Sequence, residues 1–187
     1  MNLKLKAQQI VDMDISKGQK VMLLCELARE IPYEVLKDFS PAALFKHEKG
    51  SCTPKHLFLA ECLQAIDVPI KYIVIKHYFH KALIDFPSAF KDQIRVLPLC
   101  NHTALKVKLQ GSWYILDITW DSALKGFPTN ENWNGSSDML LAVNPEGILE
   151  VSRESLSSPL SIYTEQEQIK IREFILFLNE FCQKQRQ

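Results

Sequence analysis

Residues 101–121, with the sequence NHTALKVKLQGSWYILDITWD, decide the fold. Apolar and polar residues alternate over 103–109, which is the pattern of a half-buried strand. Gln110 and Gly111 then favour a turn, and the β-branched and aromatic residues of 112–118 predict a second strand. This stretch therefore predicts an antiparallel hairpin.

The hairpin also predicts which side chains meet. If Gln110 and Gly111 form a two-residue turn, Leu109 lies opposite Ser112, and His102, Ala104, Asp117 and Thr119 share one face. His102 and Asp117 are then diagonal neighbours, close enough for a ring and a carboxylate to touch. A turn of odd length would place them on opposite faces. The other face is more apolar and carries Leu105, Val107, Leu109, Tyr114 and Leu116.

A helix is predicted upstream, after the break at Gly50-Ser51. Pro54 is favoured at a first helical position, and apolar residues follow at helical spacing until about Asp67. Cys52 therefore lies at or just before a helix N-terminus, where a partial positive charge lowers a thiol pKa. Lys49 and Lys55 are expected to add positive charge near this thiol, partly offset by Glu48.

The remaining segments complete an α+β order rather than alternating βαβ units. Thr164 and Glu167 form a capping box before an apolar stripe, which predicts a closing helix. The other expectations are a helix over 18–28, irregular chain over 33–49, a strand over 70–75, a connection with a short helix over 76–99, and a surface loop over 122–145 with a short strand at 140–143.

Size and charge narrow the class of protein. The chain has 187 residues, 47% apolar and 24% charged, which fits one globular domain over 1–187. Its core is expected over 18–121, with the loop and closing helix over 122–187. Because Lys plus Arg and Asp plus Glu each number 22, the basic excess typical of nucleic-acid binding is absent.

Two further patterns concern the cellular location of the protein and the oxidation state of its cysteines. The sequence has no apolar run of membrane-spanning length and no apolar stretch near its start like that of a signal peptide, so a cytoplasmic protein without membrane contact is expected. Five cysteines, an odd number without paired spacings, argue against a disulfide framework. Four of them are expected to be buried thiols of the core.

Cys52, His102 and Asp117 together suggest nucleophilic catalysis. A cysteine nucleophile needs a base for its proton and a third group that orients the base. The helix start supplies Cys52, and the hairpin supplies His102 and Asp117 side by side. These three residues are the predicted catalytic site.

Several segments resemble transglutaminase-like proteins. The resemblance rests on Gly50-Ser51-Cys52 before a helix, then on Asn101-His102-Thr103-Ala104, on Gly111 to Asp117, and on Thr119-Trp120-Asp121. It implies a papain-like core in which the nucleophile helix packs on an antiparallel sheet. It also implies Cys52 as nucleophile, His102 as base and then acid, and Asp117 as the residue that orients His102.

The function implied is thiol-dependent acyl transfer at an amide or peptide bond. The substrate would be a protein, a peptide or a small amide, and neither cofactor nor metal is expected. Hydrolysis is favoured over transamidation because a small open cleft admits water. The alternative is an inactive transglutaminase-like binding or scaffold module. An arylamine acetyltransferase is disfavoured because Glu48-Lys49 replaces the usual arginine-glycine lead-in.

Other roles for single residues stay open at this point. Asp121 could replace Asp117 as the acid that orients His102. Tyr33 could be a second hydrogen-bond donor to an oxyanion, in addition to the Cys52 N–H. Cys52, Cys100 and His102 could bind a metal together, although their spacing is rare for zinc. Solvent exposure is expected for His56, His77 and His80, and a place in the core or cleft wall for Trp113 and Trp120.

Overall fold

The computed structural model describes residues 2–157 and 160–186. Six helices and four strands follow in the order α1 (Leu3–Asp12), α2 (Lys17–Arg29), α3 (Pro41–His47), α4 (Cys52–Gln64), β1 (Ile70–His77), α5 (Lys91–Arg95), β2 (Cys100–Leu109), β3 (Ser112–Leu116), β4 (Gly147–Val151) and α6 (Glu165–Gln185). Short 3-10 turns lie at Phe79–Lys81, Ser88–Phe90 and Glu154–Leu156.

The four strands form one antiparallel sheet in the order β3-β2-β1-β4. In the hairpin, Leu109 pairs with Ser112 and Leu105 with Leu116, which confirms the predicted register. Strand β3 ends at Leu116, so Asp117 lies one residue beyond the last pair of the ladder. The sheet therefore delivers Asp117 at the end of a strand, where its carboxylate is free to turn toward His102.

Helices cover both faces of the sheet. Leu105 and Val107 of β2 pack with Leu59 and Leu63 of α4 in one apolar cluster. On the other face, Ile73, Ile75 and Ala104 pack in a second cluster with Phe174 and Leu178 of α6. The expected α+β fold, with the Cys52 helix packed on an antiparallel sheet, is confirmed.

Two helices occur where none was predicted. Helix α1 is capped by Asn2 and buries Leu3 and Ala7, so the polar residues of this segment occupy the outer side of an amphipathic helix. Helix α3 lies within the stretch that was expected to be irregular. Its signal is local, because Ser40 caps the helix and Pro41 occupies the first helical position.

The fourth strand was predicted in the wrong place. Residues 140–143 form no strand, because the Leu140 N–H donates to Asn130 Oδ1 and the Ala142 N–H to Asp117 Oδ2. Strand β4 lies a few residues later, at the edge of the sheet beside β1. Its apolar residues Ile148 and Leu149 are both exposed, so it lacks the alternation that identifies a half-buried strand.

The loop over 122–145 is anchored to the sheet rather than lying loosely on the surface. Asn130 donates its amide hydrogens to the carbonyls of Asp117 and Leu140, and the Met139 N–H donates to the Ile115 carbonyl. Apolar side chains along the loop, among them Leu124, are buried. The loop therefore forms part of the wall around Asp117.

Burial tests the expectation for the four cysteines other than Cys52. Cys25, Cys62, Cys100 and Cys182 are buried and free, as expected for thiols of the core. Within residues 2–157 and 160–186, no helix has the length and apolar character needed to cross a bilayer.

Packing of α4 on the sheet is predicted to carry much of the stability. Leu59 is fully buried between α4 and its neighbours, so Leu59→Ala should lower the free energy of unfolding by about 2–5 kcal/mol. The matched change Leu176→Ala, at a site 68% exposed on α6, should cost less than about 0.5 kcal/mol. Urea denaturation measures both, and equal losses would contradict this packing.

Candidate active site

Cys52 is the first residue of α4 and is half-buried. Ser51 precedes it as the N-cap residue in an extended conformation, and its side chain makes no capping hydrogen bond. The partial positive charge of the helix start is thus not screened by a side-chain oxygen of Ser51. The predicted position of Cys52 is confirmed.

The chain before Cys52 is held against the segment that contains Tyr33. The Gly50 N–H donates to the Pro32 carbonyl at 3.0 Å, and the Glu34 N–H donates to the Gly50 carbonyl at 3.2 Å. A Cβ atom on Gly50 would lie 3.1 Å from Pro54 Cγ, which is tighter than ordinary contact. This close approach explains the glycine and fixes the entry into α4.

His102 and Asp117 form the predicted contact. Nε2 of His102 lies 2.8 Å from Oδ2 of Asp117, and both residues are buried. The same carboxylate accepts the Ala142 N–H at 2.8 Å and the Thr119 hydroxyl at 2.6 Å. Because Asp117 occupies Nε2, the nitrogen of His102 that remains for the thiol is Nδ1.

The protonation states of the three residues are coupled. Burial acts to raise the pKa of Cys52, but the charge of His102 and hydrogen bonds with His102 and the Thr103 backbone lower it overall. Burial acts to lower the pKa of His102, but Asp117 and Cys52 raise it to about 10. The Asp117 pKa is held well below its usual range, against burial, chiefly by His102. These directions favour a thiolate, an imidazolium and a carboxylate at neutral pH.

His56 is part of the site, although it was expected to be solvated. It is fully buried, and its Nδ1–H donates to the Cys52 carbonyl at 2.7 Å while Nε2 accepts the Ile118 N–H at 3.1 Å. Burial lowers its pKa to about 4, so this ring is neutral. Its place four residues after Cys52 on the helix was the only sequence signal for this contact.

His77 is also buried, which contradicts its expected exposure, whereas His80 is exposed as predicted. The His77 ring lies edge-on to His102 with 6.4 Å between ring centres, and the His56 ring lies edge-on at 6.3 Å. Burial and the charge of His102 lower the His77 pKa to about 3. Two neutral imidazoles therefore flank the one that carries the proton.

Asp121 has a different role from the one left open above. Its carboxylate accepts the Tyr33 N–H at 2.7 Å and the Arg186 guanidinium at 2.6 Å. Arg186 also donates to the Tyr33 carbonyl at 3.1 Å. Asp121 thus ties the end of α6 to the chain beside Cys52, and Asp117 is the acid that contacts His102.

Tyr33 lines the same cavity as Cys52. Its ring packs on Trp120 with 4.4 Å between ring centres. Burial and then the charge of Cys52 raise its pKa well above the usual value, so its hydroxyl keeps its proton. Donation from this hydroxyl to a substrate oxygen stays a prediction.

One lysine and one tryptophan differ from expectation. Lys55 does not lie on the surface near the thiol: it is fully buried, and its Nζ donates to the Arg29 and Thr119 carbonyls at 2.8 Å each. Burial lowers its pKa to about 7. Trp120 is buried as predicted, but Trp113 is exposed and lies under the Lys71 ammonium.

The alternative metal site is not supported. In the part of the chain that the structure describes, no three His, Cys, Asp or Glu side chains form a group that could hold a metal ion. Cys100 instead donates its thiol hydrogen to the Pro98 carbonyl at 3.3 Å.

A cavity of about 100 Å³ opens beside Cys52, between the start of α4, the start of β2 and helix α6. Its wall is mostly apolar and includes Phe39, Leu97, Phe174 and Ile175. Asn101 also lines it. No sequence signal indicated this cavity, because its walls come from distant segments.

Comparison with known proteins finds similarity of fold only. No protein-family model and no curated protein matches the chain. A solved structure described as a TGase is 13% identical with a TM-score of 0.45, covering 65% of this chain and 32% of its own. A candidate cysteine protease from Cytophaga hutchinsonii is 14% identical with a TM-score of 0.42, covering 80% of this chain and 49% of its own.

The present chain thus spans about a third of one of these proteins and about half of the other. It is similar in backbone fold to both, and neither similarity identifies its activity.

Proposed function

We propose that the chain is a cysteine enzyme that transfers an acyl group from an amide or peptide bond. Cys52 is the nucleophile, His102 the acid and base, and Asp117 the residue that orients His102. The proposal is carried by one observation: the buried 2.8 Å contact between His102 and Asp117 beside a thiol of lowered pKa at a helix start. The substrate is a protein, a peptide or a small amide.

In the first half-reaction, the Cys52 thiolate attacks the carbonyl carbon of the substrate. A C–S bond forms, and the carbonyl electron pair moves onto oxygen, where the N–H of Cys52 and the hydroxyl of Tyr33 donate hydrogen bonds. His102 then gives its Nδ1 proton to the amide nitrogen as the C–N bond breaks. The products are a free amine and a thioester on Cys52.

In the second half-reaction, water attacks the thioester. His102 takes a proton from the water, the C–S bond breaks, and the product acid leaves while Cys52 returns as a thiolate beside imidazolium. Hydrolysis is preferred to transamidation because Cys52 is only half-buried, so water reaches the thioester. An amine in place of water would give transamidation.

The alternative is a binding or scaffold module without catalysis. In such a module Cys52 need not be ionised at low pH. The hydrogen bond between His56 and the Cys52 carbonyl would then only stabilise the fold. Thiol reactivity therefore separates the two functions.

Cys52 is predicted to be the reactive thiol. Since its pKa is lowered, a larger fraction of Cys52 is thiolate at about pH 6 than of an ordinary thiol, which is less than about 1% ionised there. Iodoacetamide should therefore modify Cys52 at least about tenfold faster than it modifies N-acetylcysteine at that pH. Peptide mapping with timed quenching measures the rate at each cysteine.

Cys62 and Cys182 serve as internal controls, because burial raises the pKa of each to about 12. His102→Ala should abolish the excess rate at Cys52. If Cys52 reacts no faster than N-acetylcysteine, the enzyme proposal fails and the result favours a binding or scaffold module.

Substitutions of Asp117 and Asp121 form a matched pair of tests. Asp117→Asn removes the negative charge that raises the His102 pKa, so the Cys52 pKa should rise and its alkylation rate at about pH 6 should fall at least about tenfold. Asp121→Asn should leave the pH profile of that rate within about twofold of wild type, because Asp121 contacts Arg186 and Tyr33 instead. If only Asp121→Asn shifted the pH profile of the alkylation rate, Asp121 rather than Asp117 would be the acid that orients His102.

Product analysis distinguishes the two acyl transfers. A peptide library containing glutamine, incubated with the protein and an excess of a primary amine in ¹⁸O-water, should yield ¹⁸O-labelled acids as the main products. Mass spectrometry identifies them, and the Cys52→Ala variant provides the blank. Dominant incorporation of the amine would contradict the preference for hydrolysis.

A further inference from the structure

The cavity beside Cys52 has the character of a subsite for one apolar group. Among the described residues that line it, none is Asp, Glu, Lys, Arg or His. A charged substrate group placed there would lose its water without gaining a partner, at a cost of several kcal/mol. The wall therefore disfavours a charged substrate group.

The volume of the cavity limits the size of the group that it can bind. Its volume is about 100 Å³, which is smaller than the roughly 150 Å³ of an apolar protein cavity that accommodates benzene. A branched aliphatic group of four or five carbons fits this space, whereas an indole ring does not.

We propose that this cavity binds a leucine-sized aliphatic side chain on the acyl side of the scissile bond. The inference rests on the proposed function, because it takes Cys52 as the attacking atom. Helix α6 supplies much of the wall through Ile171, Phe174, Ile175 and Leu178, and so contributes to specificity.

The test compares covalent probes that differ only in one side chain. N-acetyl-leucine chloromethyl ketone and its alanine and aspartate counterparts react when the thiolate displaces chloride, so that a C–S bond forms and the C–Cl bond breaks. Intact-mass measurement gives the second-order rate for Cys52. The leucine probe should react at least about tenfold faster than the alanine probe, and the aspartate probe should be slowest.

Filling the cavity should remove this preference. Ile175→Trp should bring the leucine-to-alanine ratio down to about one, whereas Leu176→Trp, at the exposed neighbouring position, should leave the ratio as in wild type. Because two probes are compared on one variant, a general loss of reactivity cancels from the ratio. Thermal unfolding confirms that each variant is folded.

Two results would overturn the inference: a wild-type ratio within about twofold of one, or an undiminished ratio in folded Ile175→Trp. If Ile175→Trp does not fold, the wild-type ratio alone decides. The rate with iodoacetamide, which needs no subsite, keeps the two proposals apart. A fast iodoacetamide reaction without leucine preference defeats the subsite only, and a slow iodoacetamide reaction defeats the proposed function.

Discussion

The contact between the His102 ring and the Asp117 carboxylate is the interaction on which the candidate site depends. A buried carboxylate without partners would cost several kcal/mol. Asp117 avoids this cost because its donors converge from strand β2, from Thr119 beyond β3, and from Ala142 in the following loop. Thr119 is a local donor, but His102 comes from the other strand of the hairpin and Ala142 from the following loop, so the carboxylate is fully satisfied only when hairpin and loop are both in place. The loop over 122–145 is thus part of the site.

Helix α4 joins this arrangement through two buried polar side chains. Lys55 donates to the Thr119 carbonyl, and His56 accepts the Ile118 N–H, so the first turns of α4 are docked on the chain that follows Asp117. The position of Cys52 relative to the carboxylate follows from these contacts. Burial lowers the pKa of His56 to about 4, so this ring does not compete as a cation with His102 for Asp117. These two buried links place the thiol, and the His56 link adds no charge beside His102 and Asp117.

The sequence predicted the parts of this site that depend on local pattern. Alternation located the first strand, and the two-residue turn at Gln110-Gly111 predicted the hairpin register and therefore the His102–Asp117 contact. Gly50 with Pro54 indicated the helix start at Cys52. It did not predict the burial of His56 and His77, because burial depends on what packs against a residue from elsewhere in the chain. Strand β4 was missed for a related reason, since its exposed apolar residues pair with β1 more than 70 positions away. The apolar cavity likewise has no local signature.

The central claim is that His102 holds a proton beside an ionised Cys52, between two neutral histidines. The most direct measurement is ¹⁵N NMR of the histidine rings, assigned with single His→Gln variants, at about pH 8. Because the pKa of His102 is raised to about 10, both of its ring nitrogens should be protonated at that pH. The rings of His56 and His77 should be neutral. A neutral His102 ring at about pH 8 in the folded protein would contradict the account.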